Sequence, residues 1–281
     1  MKMIFLFLAL VLSSNAILAH DITVMTFNIR LHTASDSLNA WPYRKDKVAS
    51  QIVYHKVTLL GVQEALYDQM TDLQQRLPGY RSVGGGRDDG RNKGEHSAIF
   101  FDTARLQLQQ SDMLWLSETP EKAGSKGWDA AFPRVITWAK FRDKKTGSVF
   151  FAFNTHFDHM GQVARRESAK MVLQKVKEIA GSAPAIFTGD FNATPFDEPI
   201  RIIVDNNNPL RLTDSKELSE QPHYGPTGTF NAFKSKERDD HPIDYIFLKG
   251  SWKVHSHATI SQSWQGRFAS DHFAVIAVIS L

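Results

Sequence analysis

Ala185-Ile186-Phe187-Thr188-Gly189-Asp190-Phe191-Asn192-Ala193-Thr194-Pro195 runs from an apolar strand signal straight into a carboxylate and a carboxamide. Asp190 and Asn192 sit two positions apart, so an extended chain points both the same way. The pair suits hydrolysis. A carboxylate holds or deprotonates a water, and a carboxamide donates to a phosphoryl oxygen without adding negative charge.

The same pattern recurs outward from this stretch. Further strand signals lie at 22–29, 58–63, 97–101, 135–141, 149–156, 243–248 and 273–279. Polar groups stand at or just beyond several of their ends: Asn28, Gln63-Glu64, Asn154 with His156; Glu95 precedes another. A lone Asp or Asn after a strand is usually turn chemistry. A set of them lines the rim of a packed core, where strands fix side-chain direction. Helical periodicity marks 44–54, 68–76 and 162–180. Many successive strands are separated by turns rather than helices, and several are apolar on both faces. These features predict two sheets packed face to face with helices outside, rather than a doubly wound parallel sheet.

Composition narrows the chemistry. The 281 residues include no cysteine, which excludes disulfides, thiolate nucleophiles, Cys-ligated zinc and iron–sulfur clusters. With 33 Lys+Arg against 30 Asp+Glu, the formal charge of +3 is a weak pointer to anionic partners. Residues 1–19 have the layout of a secretory signal peptide: Lys2, an apolar run from Ile4 to Leu12, then small residues, with cleavage after Ala16 or, as taken here, Ala19. Residues 20–281 then form one catalytic domain, since no Pro/Ser/Gly-rich linker or charge block divides them. The expected location is periplasmic or extracellular, without a membrane anchor.

Two more elements carry chemistry. Glu64 is a single acid ending an apolar strand, a fitting oxygen ligand for magnesium, which takes only one or two protein carboxylates. Ser270-Asp271-His272 precedes the last apolar strand, and a proton-shuttling histidine needs a carboxylate to fix its ring, which Asp244 can provide.

In order, these landmarks resemble the endonuclease/exonuclease/phosphatase superfamily with the deoxyribonuclease I-like fold. The resemblance runs from Thr26-Phe27-Asn28-Ile29-Arg30 through Gly61-Val62-Gln63-Glu64, Asn154-Thr155-His156, Gly189-Asp190-Phe191-Asn192 and Ile243-Asp244-Tyr245-Ile246 to Ser270-Asp271-His272-Phe273. It implies an α/β (α+β) four-layered sandwich: two packed mixed β-sheets flanked by helices. It implies Glu64 as principal magnesium ligand, with Asn28 and Asp271 beside the metal and manganese able to substitute. It implies Asp190 as the acid acting on the attacking water, Asn192 orienting the phosphate, and His272 with Asp244 at the scissile group. His156 is then the other phosphate-facing histidine, with Glu95 as its carboxylate partner.

Trp41-Pro42-Tyr43-Arg44, Leu114 to Ser117, Lys126 to Ala130 and Pro133-Arg134 resemble bacterial, often secreted members related to the deadenylase/nocturnin branch. Arg134 is expected to face phosphate or to form a structural ion pair, and Asn154 joins it among the substrate-binding candidates. Trp41 and Trp128 are candidates for stacking on a base or for packing, and Asp158 and His159 stand beside the main set. The basic clusters are small, and Glu237, Asp239 and Asp240 interrupt the one at 234–238, so no continuous track for a long polymer is evident. The function expected is a metal-dependent phosphoesterase, a phosphodiester being favoured over a monoester and nuclease action leading. A sphingomyelinase-like, inositol-phosphate or other small-metabolite phosphoesterase is the alternative, and a non-catalytic binding module on the same fold the second. The partner expected is a phosphate-ester substrate, nucleic acid included, acted on by a monomer.

Overall fold

The computed structural model describes residues 21–234 and 241–281; the signal-peptide segment 1–19 and most of the basic cluster 234–238 lie outside them. In chain order the first strands and helices are β1 (Ile22–Asn28), α1 (Lys45–Tyr54), β2 (Leu59–Gln63), α2 (Tyr67–Arg76), β3 (Tyr80–Val83), β4 (Ile99–Asp102), β5 (Leu106–Trp115), β6 (Val135–Asp143) and β7 (Val149–His156). There follow α3 (Gln162–Ala180), β8 (Ala185–Asp190), α4 (Glu198–Val204), β9 (Thr213–Asp214), α5 (Ser215–Leu218), β10 (Asp244–Lys249) and β11 (Lys253–Ile260). The chain ends in β12 (Ser263–Trp264), β13 (Arg267–Phe268) and β14 (Ala274–Ser280).

The strands make two six-stranded sheets, ordered β11-β14-β1-β2-β4-β3 and β5-β6-β7-β8-β10-β9. Each is mixed: β1 runs parallel to β2 and β7 parallel to β8, while the other pairs in both sheets are antiparallel. Three apolar clusters explain the layering. Val24, Leu59, Phe101, Phe141, Phe150 and Ile246 fill the space between the sheets. Met25, Phe27 and Leu60 face the other way and pack with Val48, Ile52 and Leu73 of α1 and α2. Phe153 and Phe187 do the same with Val172, Leu173 and Val176 of α3. Alternate residues such as Val24 and Met25 therefore serve different cores, which is why these strands read as continuously apolar. The result is the expected four-layered sandwich, helices outside and sheets within.

Helix α3 matches its predicted span, with Ala169, Val172, Leu173, Val176 and Ala180 on the buried stripe. Its first turn is satisfied from a distance, by Asp129 accepting from Ala164 N at 2.7 Å and Val163 N at 3.2 Å. The strands 106–115 and 253–260 are the main elements that sequence patterning did not mark. Leu106–Trp115 exposes Gln107 through Ser111 and Lys253–Ile260 is rich in polar residues, so neither shows a clean apolar signal.

Polar staples join the sheets beneath the rim. Asn154 donates to Val62 O at 2.8 Å and Ala98 O at 2.9 Å, and accepts from Gln63 Nε2 at 2.7 Å and Thr188 Oγ1 at 3.0 Å. Gly61 lies against it: a Cβ there would stand 2.2 Å from Thr188 Oγ1 and 2.5 Å from Asn154 Oδ1, so only glycine admits this approach.

Candidate functional site

Strand register assembles the site. Across parallel β7 and β8, His156 is the partner of Asp190; across antiparallel β8 and β10, Asp190 is the partner of Asp244. In the other sheet Asn28 is the partner of Gln63, so Glu64 follows directly beside it. The last strand pairs antiparallel with β1, which brings the Ser270-Asp271-His272 segment to the same end. Asn28 then bridges the sheets, its Nδ2 donating to Glu64 Oε1 at 3.0 Å and Asp190 Oδ2 at 2.9 Å.

Above this end lies a cavity of about 450 Å³, lined by Glu64, Asp190, Asn192, Asp271, His156 and His272 on one side. Arg30, Glu95, Phe132, Arg134 and His159 also line it. Glu64, Asn192 and Arg30 have φ values of 62°, 46° and 57°, the left-handed region that residues with a Cβ seldom adopt. Such strain gathers where surrounding structure holds side chains in working positions.

The two histidines are held in opposite protonation states. Burial pulls His272 down, but the charges of Asp244 and Asp190 and the hydrogen bond to Asp244 overrule it and hold the imidazole well above its usual range. Its Nδ1 is 2.9 Å from Asp244 Oδ2. Burial and the cations Arg134 and Arg87 push His156 well below that range. Asp190 is raised to about 7, by burial first and the Asp244 carboxylate second. A carboxyl titrating near neutrality beside a cationic imidazole has the properties of an acid–base pair.

Several side chains stand elsewhere than the sequence suggested. Asn154 is fully buried with its hydrogen bonds spent between the sheets, so it holds the fold and does not reach substrate. Asn28 is also fully buried, and its Oδ1 accepts from Arg30 N at 3.0 Å; the amide is a strut between carboxylates rather than a ligand facing the cavity. Both Nδ2 hydrogens of Asn192 are committed, to Phe157 O and to His156 Nε2, each at 3.0 Å, so it holds His156 instead of offering a free donor to phosphate. Glu95 is hydrogen-bonded to Arg87 at 2.6 Å, while His156 Nδ1 is 3.8 Å away and has no hydrogen-bond partner among the described residues. Arg134 forms the expected structural ion pair, its Nε meeting Asp158 at 3.2 Å, and its side chain also lines the cavity. Trp41 is buried, donating to Asp72 at 2.9 Å, and belongs to the core.

Sequence reasoning missed Arg30, which pairs with Asp36 at 3.0 Å and stands 3.7 Å from Asp271 and 3.9 Å from Glu64. It missed the buried role of Arg44, whose guanidinium donates to the carbonyls of Ile29 at 2.7 Å and Ala269 at 2.8 Å. These bonds tie the end of β1 to the segment bearing His272. The Arg in Asn28-Ile29-Arg30 was visible beside the strand end, but its left-handed backbone was not.

Glu64, Asp190, Asp244 and Asp271 converge near the cationic groups Arg30, Arg44 and His272, and Arg30 is itself engaged by Asp36. Burial raises Asp271, and the neighbouring Glu64 adds to the rise against the pull of His272, Arg30 and Arg44. A hard, oxygen-preferring divalent cation fits that donor set. Asp190, Asp244 and His272 also have ligand atoms within 4.8 Å of one another and form a group able to bind a metal. The Asp244–His272 hydrogen bond favours proton handling there, which leaves Glu64 and Asp271, lining the same cavity, for a cation.

Comparison with known proteins shows what the chain resembles. The structure of an endonuclease/exonuclease/phosphatase from Bacteroides vulgatus is 39% identical, with a TM-score of 0.89 over 93% of this chain and 99% of that one. That of the mannosyl-6-phosphatase from Bacteroides thetaiotaomicron is 38% identical, with a TM-score of 0.86 over 92% of this chain and 100% of that one. Nocturnin of Drosophila melanogaster is 25% identical over 74% of this chain and 35% of its own length. Residues 25–272 match the Endonuclease/Exonuclease/phosphatase family, and the chain belongs to that family of phosphate-ester hydrolases.

Proposed function

We propose that this chain is a divalent-cation-dependent phosphoesterase that releases phosphate from a small phosphorylated molecule. The observation that carries the reading is the convergence of Glu64, Asp190, Asp271, His156 and His272 on one cavity. Glu64 and Asp271 would hold the cation, magnesium or manganese, which when bound neutralises charge on the phosphoryl oxygens. Asp190, titrating near 7, accepts a proton from the attacking water as the new P–O bond forms in line with the departing ester oxygen. His272, kept protonated by Asp244 and Asp190, donates to a phosphoryl oxygen or to the departing oxygen. Arg134 lends its charge to the cavity wall.

The cavity volume, about 450 Å³, is that of a small-molecule site, typically about 300–1,000 Å³. Together with 38% identity to a mannosyl-6-phosphatase, this supports a phosphomonoester. Phosphodiester cleavage, favoured from sequence, is the second reading, supported by the likeness to Nocturnin. Turnover of mannose 6-phosphate, bis-p-nitrophenyl phosphate and single-stranded RNA, each with magnesium and with chelator, tests both. Chelator-sensitive release from the monoester supports the first reading, and cleavage of the diester or RNA alone supports the second. Activity that survives chelation removes the metal from the account.

A further inference from the structure

Part of the cavity wall is built around Phe132 and His159, which the catalytic proposal does not use, with Arg134 bordering them. Phe132 is 47% exposed, yet it is not loose. The Arg87 guanidinium lies 4.9 Å over its ring, and the His159 ring lies 5.9 Å away at 17° to it. Asp158 sets the position of the whole wall. Its Oδ2 accepts from Phe132 N at 3.3 Å and Arg134 Nε at 3.2 Å, and its Oδ1 accepts from Met160 N at 2.9 Å and Gly161 N at 2.7 Å. Two loops distant in sequence are thus fastened through one buried carboxylate, which its backbone hydrogen bonds hold well below the usual range against the pull of burial.

The polar groups of this wall are also prepared. Arg134 Nη2 lies 3.1 Å from His159 Nδ1. An arginine only donates, so Nδ1 accepts and the ring proton sits on Nε2 as a donor. Among the described residues Arg134 Nη1 is buried without a hydrogen-bond partner, which is costly unless something else completes it. A held aromatic ring bordered by donors of fixed direction matches a pyranose. The ring's C–H face packs on the aromatic, and its hydroxyls meet the guanidinium and imidazole.

Resting on the phosphoesterase reading above, we propose that Phe132, His159 and Arg134 form the leaving-group subsite and that the group bound is a monosaccharide ring bearing the phosphate. The phosphoryl end lies among Glu64, Asp190 and His272, and the sugar lies against Phe132.

The test measures kcat and KM with magnesium for mannose 6-phosphate and for glycerol 3-phosphate, which carries the same ester without a ring. The wild type is expected to prefer the sugar phosphate. Phe132→Ala should lower kcat/KM for it by about tenfold to a hundredfold, mainly through KM, while changing glycerol 3-phosphate turnover by less than about threefold. Phe132→Tyr should keep the preference, and His159→Ala should repeat the split should Phe132→Ala fold poorly. Equal losses on both esters, or a wild type without preference, overturn the subsite. Turnover of bis-p-nitrophenyl phosphate but of neither monoester overturns it while leaving phosphoesterase chemistry standing. No turnover of any ester overturns both.

Discussion

His272 Nδ1 stands 2.9 Å from Asp244 Oδ2, a bond that links the two sheets: Asp244 opens β10 in one, and His272 lies two residues before β14 of the other. The pair forms only when the sheets are packed, so the charge state of His272 is a product of the tertiary fold. Asp244→Asn keeps the shape and removes the charge that sustains the imidazolium. Its kcat for phosphate release should fall by roughly 10²- to 10⁴-fold with little change in KM. A loss confined to KM would assign Asp244 to substrate binding instead.

Asn154 gives a contrasting expectation. Asn154→Ala removes a buried donor to Val62 O, one of two donors to Ala98 O and one of two acceptors for Gln63 Nε2. Denaturant unfolding should show a loss on the order of 3 kcal/mol, with the KM of the folded fraction unchanged. Unaltered stability together with a raised KM would return Asn154 to the substrate-binding group.

Why Asn154 was misplaced, while Asp190 and His272 came together as anticipated, is a matter of which face a strand end presents. A polar residue closing an apolar strand is readable from patterning, as at Asn28, Glu64, His156 and Asp190. Whether it points to the cavity or to the opposite sheet depends on sheet packing. Asn154 and His156 are two apart on β7, yet Asn154 is consumed by inter-sheet bonds and His156 lines the cavity. The four layers were legible because neighbours such as Val24 and Met25 both had to be buried. Phe132 and Arg30 were not, since their roles rest on loop contacts and a left-handed backbone that local pattern does not encode.

The pair of His257, which is buried, and His223, which is half-buried, predicts an acid-sensitive fold. His223 Nε2 donates to Pro226 O at 3.1 Å, and with His223 neutral, as its partial burial favours, its Nδ1 accepts from His257 Nδ1 at 2.9 Å. Burial, then the nearby His223 and Lys216, lowers His257 to about 3. The unfolded chain takes up this proton near pH 6.5 and the folded chain does not. Stability from the neutral ring is therefore complete above about pH 6.5 and declines as pH falls toward 3, by at most about 1.4 kcal/mol per pH unit. Unfolding free energies at pH 7.5, 6 and 5 should converge for wild type and His257→Gln on the acid side. Parallel curves would remove His257 from the acid response.

Cation binding should be visible without substrate. At magnesium a hundredfold above its Kd, linkage stabilises the folded state by about 2.7 kcal/mol, which for a chain of this size raises Tm by about 5–10 °C. Chelator should reverse the rise, and Glu64→Gln should remove most of it. An unchanged magnesium response in Glu64→Gln would move the cation to the Asp190, Asp244 and His272 group.

The most direct test of the central claim, that Asp190 activates the water attacking a phosphate ester in this cavity, compares phosphate release by wild type and Asp190→Asn with saturating magnesium. Asparagine preserves shape and removes the proton acceptor that titrates near 7. The account predicts chelator-sensitive release by the wild type and a kcat at least roughly 10²-fold lower in Asp190→Asn. Release within tenfold of wild type by a correctly folded Asp190→Asn would contradict it.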